Sequence, residues 1–468
     1  MTALDDVPLL TAQRFRATSS VGGSTPVPPR GAVLPPGPRW PALAQTVALM
    51  RFRHWFHPYL HRRYGDVFTV RLVPGARPLV MLTRPEHTKE VFAGDPEVFH
   101  AGKANSILGP VMGRHSLLLQ DSTEHQRARK LLMPAFNGQA LKGYADLVAD
   151  LARDEVAYWP DDARFRSLDR MNVLTLEVIL RVVFGVTDER RLALMRPRVN
   201  ATVDIEPVVL LGWTYPRLQK VGVWRRAVDN QYELDRLIHA EIRERRVAPD
   251  LAERTDVLSR LIRVGHEPGA DPADRLSDVE LRDQLVTLLL AGHETTATAL
   301  AWSLHELGRH PELHARTVDA VREGDDAWLE AVLKEAMRLH PVIPMVVRTL
   351  LEPTTVAGHD LPAGTTVGPS IVVTHQRDDL HPDPEVFRPE RFLGQNPPAN
   401  TWIPFGGGVR RCIGAGFSVM EGVAVLREVF RSFDVEAVGD DVPKVRNITS
   451  VPRGGAVVRA VRRPRPEG

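Results

Sequence analysis

Along most of the chain, apolar residues recur at three- and four-residue spacing with charged residues between them, the pattern of helices that bury one face. On that pattern helices are expected over residues 121–133, 139–158, 168–184, 222–246, 277–308, 312–322 and 327–339, and from Ala415 to Phe430. Alternation with period two is scarce. Residues 67–73 and 79–82, separated by Pro74 and Gly75, read as a β-hairpin, and strand-like pieces such as Thr354–Val356 and Thr365–Val367 return between residues 341 and 375. Residues 18–41, with Pro26, Pro28, Pro29, Pro35 and Pro36, can hold neither helix nor ladder. A length of 468 residues would by itself suggest two or three domains, but no repeat or low-complexity linker divides the later chain. The expectation is a mainly α fold with a small β portion, residues 1–35 being a flexible Pro-rich leader and residues 36–468 a single domain.

Composition narrows the function classes. With 43% hydrophobic and 25% charged residues and a net charge of +2, the chain has the make-up of a globular protein rather than a disordered or fibrous one. Its seven Lys and 53 Arg are scattered among acids, which gives no electrostatic footprint for nucleic acid. No run of 18 apolar residues occurs, and the N-terminus lacks the basic start and unbroken apolar stretch of a signal peptide. A cytoplasmic protein without a membrane span is therefore expected. One count matters more: Cys412 is the only cysteine, so no intramolecular disulfide, Cys-pair zinc finger or four-cysteine iron–sulfur cluster can be built.

The run Phe405-Gly406-Gly407-Gly408-Val409-Arg410-Arg411-Cys412-Ile413-Gly414 places that thiol in a glycine-dense loop directly before a helix. Free backbone N–H groups and the positive end of the helix dipole bias it toward thiolate, the form that ligates metal. A lone cysteine is in general more often a small buried hydrophobe. Two flanking Arg and three Gly favour a ligand here, because the glycines let the backbone crowd a flat, bulky group. The loop lacks the third glycine of a dinucleotide fingerprint and the Gly-Lys-Ser/Thr of a phosphate loop. His293-Glu294 begins a zinc-protease motif but has Ala297 where the second His should stand.

A second stretch is locally odd. Ser277-Asp278-Val279-Glu280 is a capping box that starts a helix, and after Leu285–Leu290 the helix runs into Ala291-Gly292-His293-Glu294-Thr295-Thr296. An interior Gly costs about 1 kcal/mol relative to Ala, so something local must offset Gly292 and the polar residues after it.

The pattern Phe405-Gly-x-Gly-x-Arg410-x-Cys412-x-Gly414 resembles the haem-binding signature of the cytochrome P450 family, and three further family-like motifs follow the expected order over residues 36 to about 455. The resemblance implies that fold, with haem b between a long distal helix and a Cys-containing proximal loop, and Cys412 thiolate as the axial iron ligand that favours O–O cleavage. It implies that small Ala291 and Gly292 admit O2 and substrate, that the Thr295 hydroxyl bonds oxygen, and that Glu294 delivers protons through water; the alternative reading turns Glu294 to solvent. Glu335 and Arg338, with Arg391, resemble the family's Glu-Arg-Arg triad, a structural network rather than a catalytic one. His125 and Arg129, four residues apart, with Arg348 and Arg410, match the expected donors to the haem propionates. Gly416 and Ser418 depart from the family pattern, since helix formers are more usual there.

Electrons must come from outside, because one cysteine and no flavin or nicotinamide fingerprint leave the chain without a redox centre beyond the haem. A separate ferredoxin or flavodoxin with its reductase is implied, and Arg410, Arg411, Arg127 and Lys130 are candidates for a basic docking patch. Leu288, Ala291, Val342, Ile343 and Val346 would line an apolar pocket, which suits a fatty acid, terpenoid, steroid or polyketide. The activity implied is hydroxylation or epoxidation by a monooxygenase, with oxygen supplied by O2. A peroxide-driven peroxygenase would not need the Glu294 and Thr295 pair, and a haem gas sensor would usually carry a neutral His ligand and an output module.

Overall fold

Long Pro-free runs with helical periodicity make the molecule mainly helical, and the few β-branched, alternating segments make its sheets. The structure, a computed structural model, describes residues 25–29, 31–203, 216–264, 266, 271–394 and 396–464. In chain order the main elements begin with α1 (Ala42–Tyr64), β1 (Val67–Leu72), β2 (Arg77–Leu82), α2 (Pro85–Ala93) and β3 (Phe99–His100). There follow α3 (Ser122–Leu132), α4 (Gly138–Ala157), β4 (Ala163–Arg166), α5 (Ser167–Val182), α6 (Glu189–Val203), α7 (Gly222–Arg246) and α8 (Val257–Arg263). Next come α9 (Asp278–Arg309), α10 (Pro311–Glu323), α11 (Asp326–Leu339), β5 (Arg348–Leu350), β6 (Thr354–Val356), β7 (His359–Leu361) and β8 (Thr366–Pro369). The chain closes with α12 (Ala415–Ser432), β9 (Phe433–Ala437), β10 (Pro443–Arg446), β11 (Thr449–Pro452) and β12 (Val457–Arg462). Among the described residues no helix is long and apolar enough to cross a membrane.

Every helix expected from periodicity is present within a few residues, whereas α1, α2, α6 and α8 were not legible in the pattern. Pro58 lies inside α1 and Pro197 inside α6, and each interrupts the run that periodicity needs. Helix α2 is only nine residues and α8 only seven, too short for a period to declare itself.

Two compact units emerge. Among the described residues, the first comprises Ala101–Ala140 and Leu176–Ala291, and it is entirely helical. Its polar interior is tightly satisfied. Arg282, fully buried on α9, pairs with Asp235 on α7 at 2.6 Å and with Asp283 at 2.9 Å, and donates to the carbonyls of Val111 and Met112, both at 3.1 Å. Asp283 and Gln284 accept the N–H groups of His115 and Leu117, and Thr287 reaches the Ser116 hydroxyl at 2.7 Å. The start of α9 thus fastens the segment from Val111 to Leu117 along its length. The helix opens on the expected box: Ser277 N–H donates to Glu280 Oε2 at 2.9 Å, and Glu280 N–H returns to Ser277 Oγ at 3.3 Å.

Among the described residues, the second unit comprises stretches 26–100, 141–175 and 292–464, and it holds all the strands. Its largest sheet has the order β1-β2-β8-β5-β3, with β2 and β8 parallel and the other pairs antiparallel. A three-stranded antiparallel sheet orders β4-β12-β9, and β6-β7 and β10-β11 are two-stranded. Of the Pro-rich leader, residues 1–24 and 30 lie outside the described residues. The part described packs against the large sheet: Thr69 Oγ1 donates to Pro35 O at 2.8 Å, and Leu34 joins the apolar cluster around Val80, Leu82 and Val367.

Gly308, near the end of α9, allows the helix to touch β9 directly. A Cβ there would stand 2.5 Å from the Ala437 nitrogen and 3.0 Å from the Glu436 carbonyl carbon. In an open helix Gly→Ala gains about 1 kcal/mol. Here Gly308→Ala is expected to lower stability by about 1–3 kcal/mol instead, because backbone must move. Urea unfolding midpoints check this, and a midpoint at or above that of the parent would show that the contact opens freely.

Candidate functional site

The loop before α12 is shaped by what its glycines lack. Gly406 and Gly408 both sit at φ +63°, a conformation L side chains rarely adopt. A Cβ on Gly408 would lie 2.0 Å from the Phe92 carbonyl oxygen, and one on Gly407 2.1 Å from the Phe92 ring. The backbone of α2 therefore presses directly on this loop, and Phe92 is a site-shaping residue that no sequence signal announced. Cys412 N–H donates to Phe405 O at 2.9 Å, Gly414 caps α12, and the Cys412 side chain is exposed. Phe405 is half-buried and meets the Trp402 ring edge-on at 5.9 Å.

Beneath the loop lies an ion network. Glu335 and Arg338, both fully buried on α11, form a two-point contact at 2.7 and 2.8 Å. Arg391 Nε reaches Glu335 Oε1 at 3.3 Å, and the Arg388 N–H donates to the same oxygen at 2.9 Å. Arg338 also donates to the carbonyls of His375, Pro384 and Val386. Glu335 thus meets two guanidinium groups, and their remaining donors go to backbone carbonyls, including Asp383 O for Arg391, which is the condition under which buried charge is tolerated.

On α9 the polar run that looked misplaced is anchored residue by residue. His293 meets the Thr175 hydroxyl at 3.0 Å, and burial holds its pKa down at about 4, so it is a neutral core histidine. Thr296 Oγ1 lies 3.1 Å from Ser418 Oγ on α12, which links α9 to the helix that follows the thiol. The departure at Ser418 thus has a structural reason, and Gly416 has one too, since a Cβ there would come within 3.0 Å of Leu141. Glu294 is buried rather than turned to solvent: Thr449 donates to its Oε2 at 3.1 Å, and Arg446 Nη1 lies 3.1 Å from Oε1 as a close charge contact. Burial pushes the Glu294 carboxyl up to about 7, with the Thr449 hydrogen bond pulling the other way. Arg446 and Thr449 come from β10 and β11, more than 150 residues away, and nothing local pointed to Arg446. Thr295, between these anchors, is half-buried.

The apolar segment after α11 runs between the same elements. Val342 O accepts from Ser450 N at 2.8 Å, and a Cβ on Gly406 would lie 3.5 Å from Val346 Cγ1. Met345 and Val347 turn into the sheet core, and Ile343 is half-buried. Arg348, buried, and Arg410 share a small cleft with Val91, Phe92 and Gly407. In the all-helical unit, His125 is buried and Arg129 half-buried one turn apart on α3, while on α9 Leu288 is buried and Ala291 exposed. Arg127 and Lys130 pair with Glu280 at 2.7 Å and Asp274 at 3.2 Å, so their charges are matched locally rather than left for a basic patch. No cluster of His, Cys, Asp or Glu among the described residues could hold a metal ion by itself. The donors present suit a haem: one exposed thiol in a loop that admits no side chain at Gly407 or Gly408, two Arg at one cleft, and an apolar wall beside them.

Comparison with known proteins agrees. Residues 34–458 match the family model for cytochrome P450. The chain is 51% identical over 431 residues, 92% of its length and 95% of the relative's, to a Mycobacterium tuberculosis protein named "Putative cytochrome P450 135A1". It is 43% identical over 434 residues, 91% of each chain, to "Putative cytochrome P450 135B1" of Mycobacterium bovis. A solved structure titled "Retinoic acid bound cyanobacterial CYP120A1" superposes with a TM-score of 0.78 at 24% identity, covering 94% of this chain and 100% of that one.

One buried acid near the loop has no such anchoring. Both carboxyl oxygens of Glu421, on α12, are buried with no hydrogen-bond partner among the described residues, and burial raises its pKa to about 8. Unfolded, this carboxyl ionises from about pH 4.5 upward, whereas folded it stays protonated to about 8, so stability falls as pH rises across that window. Glu421→Gln is expected to match the parent below the window and to exceed it by on the order of 3 kcal/mol near pH 7. Unfolding midpoints across pH test this; a difference that does not change with pH would refute it.

Proposed function

Because the chain belongs to the cytochrome P450 family, whose members are monooxygenases that bind haem b through a cysteine thiolate, we propose that its sole thiol, Cys412, is the iron ligand. Residues 36–468 then act as a single haem-thiolate domain that hydroxylates or epoxidises a hydrophobic small molecule. The observation that carries this reading is the Thr296–Ser418 hydrogen bond, which fixes the Glu294–Thr295 stretch of α9 to the helix that begins just after Cys412.

Haem, when bound, supplies the activation of O2. The residues of this chain supply the rest. Gly414 and Phe405 shape the loop, and the helix N-terminus favours Cys412 as thiolate. Arg348 and Arg410, with His125 and Arg129 on α3, are the donors for propionates. Small Ala291 leaves room beside α9. Leu288, Val342, Ile343 and Val346 give the pocket its apolar wall, which selects a fatty acid, terpenoid, steroid or polyketide-like substrate of the kind met in secondary metabolism. Glu335, Arg338 and Arg391 are structural.

Glu294 acts as the proton carrier and Thr295 as the hydroxyl that positions oxygen. A carboxyl that titrates near 7 can both hold and release a proton at neutral pH, the property this task needs. The pair favours O2 over peroxide as oxidant. Electrons come from a separate ferredoxin or flavodoxin and its reductase in the cytoplasm, docking near exposed Arg411 and Val409.

Absorbance of the reduced protein with carbon monoxide tests the ligand: a strongly red-shifted Soret band is expected, and Cys412→Ser should lose it. A parent band at the shorter wavelength of neutral-ligand haem would refute the assignment. Since Glu294 donates only when protonated, parent turnover should fall as pH rises through about 7, and Glu294→Gln should be slower by roughly 100-fold with that inflection gone. Thr295→Ala should keep its haem yet divert reducing equivalents to peroxide. An unchanged ratio of product to NAD(P)H consumed would remove Thr295 from the relay.

A further inference from the structure

The later half of α9 carries a stripe of buried polar atoms. Glu294, Thr298, Ala301 and His305 follow one another at four, three and four residues, so they share one face of the helix, and all are buried. Thr298 Oγ1 and both ring nitrogens of His305 have no hydrogen-bond partner among the described residues, and Glu294 Oε1 has its charge contact with Arg446 but no aligned hydrogen bond. Ser450 Oγ, one residue beyond the Thr449 that holds Glu294 Oε2, is buried and likewise without a partner among the described residues. Between Thr298 and His305 the face offers only the methyl group of Ala301.

The chain from Asp441 through β10 to Arg446 follows this stripe in the opposite direction. Arg446 lies against Glu294 at one end, and the Asp441 carboxylate is close enough to favour charge on His305 at the other. Eleven residues of helix and five of extended chain each cover about 16 Å, so the two contacts are mutually consistent. The His305 end is the one near solvent. Arg309, one turn further on, meets Asp440 at 3.1 Å with both side chains exposed, and Asp441 is half-exposed.

Buried polar atoms without protein partners are satisfied by ordered water, which itself needs several polar neighbours. A run of them on one helix face supplies those neighbours in sequence. Burial lowers the pKa of His305, with His340 and Arg309 acting in the same direction and Glu306 and Asp441 against it, so the ring is neutral at neutral pH. A neutral imidazole has one nitrogen that donates and one that accepts, and a hydroxyl does both. Each can therefore take a proton from one side and pass one to the other. Arg446 also reaches solvent, but a guanidinium does not give up its proton.

We propose that water held by Thr298, Ser450 and His305 forms a file along α9 through which Glu294 exchanges its proton with solvent at the His305 end. This rests on the reading of Glu294 as the proton carrier. The water beside the Glu294 carboxylate gives it a proton and takes one from the group behind, and so on outward; the net change is one proton drawn from solvent and one carboxyl made neutral. Thr298 and His305 act through Glu294 and are positioning residues.

Infrared spectra of the haem-loaded protein transferred to D2O near pH 6 test this, because the carbonyl stretch of a protonated carboxyl shifts when its hydrogen becomes deuterium. The band missing from Glu294→Gln is that of Glu294. Thr298→Val and His305→Phe are each expected to slow its exchange about ten-fold or more while keeping the carbon monoxide spectrum of the parent. Thr298→Ser, which retains the hydroxyl, should exchange like the parent, and if either of the first two variants folds poorly the other reads the same path. Parent-like exchange in Thr298→Val and His305→Phe would place proton entry beside Arg446 and overturn the proposal. So would a Glu294→Gln spectrum that lacks no carboxyl band, since an ionised Glu294 has no proton to exchange. Slowed exchange in these variants together with undiminished turnover in Glu294→Gln would uphold the file and remove Glu294 from the reaction instead.

Discussion

The fully buried Glu335–Arg338 pair is the point from which the thiol loop hangs. A buried pair of charges is worth little net, and is often no better than well-packed apolar residues, but it cannot be left incomplete. Arg338 therefore gathers carbonyls that would otherwise have no reason to converge, those of His375, Pro384 and Val386. Having been placed by that contact, His375 accepts the N–H of Ile403 at 2.9 Å through Nε2, and Ile403 O accepts from Gly406 at 3.0 Å. Gly406 opens the thiol loop, and Phe405 O then receives the Cys412 N–H. Five links, each a satisfied polar group, run from a charge pair in the core to an exposed thiol. The role of the pair is positional, and removing one partner would unbalance several loops at once.

The glycine loop is held from its other side by a different constraint, steric rather than electrostatic. Phe92 occupies the space where side chains on Gly407 and Gly408 would be. Pinned between the ion network and α2, the loop has little freedom to place its thiol elsewhere, which is the kind of support a metal ligand needs if its geometry is not to drift.

Several parts of this arrangement were legible in the sequence for identifiable reasons. The capping box at Ser277 is a local exchange of hydrogen bonds, and the long helices rest on uninterrupted periodicity, so both can be read from neighbouring residues. The thiol loop is equally local, ten residues whose glycines and cysteine carry their own chemistry. What escaped was either interrupted or distant. Pro58 and Pro197 disguised two helices that tertiary packing nevertheless forms. The parallel pairing of β2 with β8 joins Leu79 to Thr366, a register no local pattern encodes. Gly416 and Ser418 stand in the sequence as departures from the helix formers more usual there. They are explained by Leu141 and Thr296, partners that only the folded chain brings near.

Arg446 is the most consequential of the distant partners, because it bears on the charge state of Glu294. A guanidinium 3.1 Å from a carboxylate would, taken alone, hold the acid ionised. Arg446 keeps 27% of its side chain in solvent, which screens its charge, while Glu294 keeps only 7% and bears the full cost of burial. Burial therefore wins, and the carboxyl is held near neutrality instead of being locked as an anion. A carboxylate paired deep in the core would be a fixed charge, and one in open water would titrate far below neutral pH. Glu294 is the intermediate case, a buried carboxyl pushed up to about 7 beside a partly exposed guanidinium.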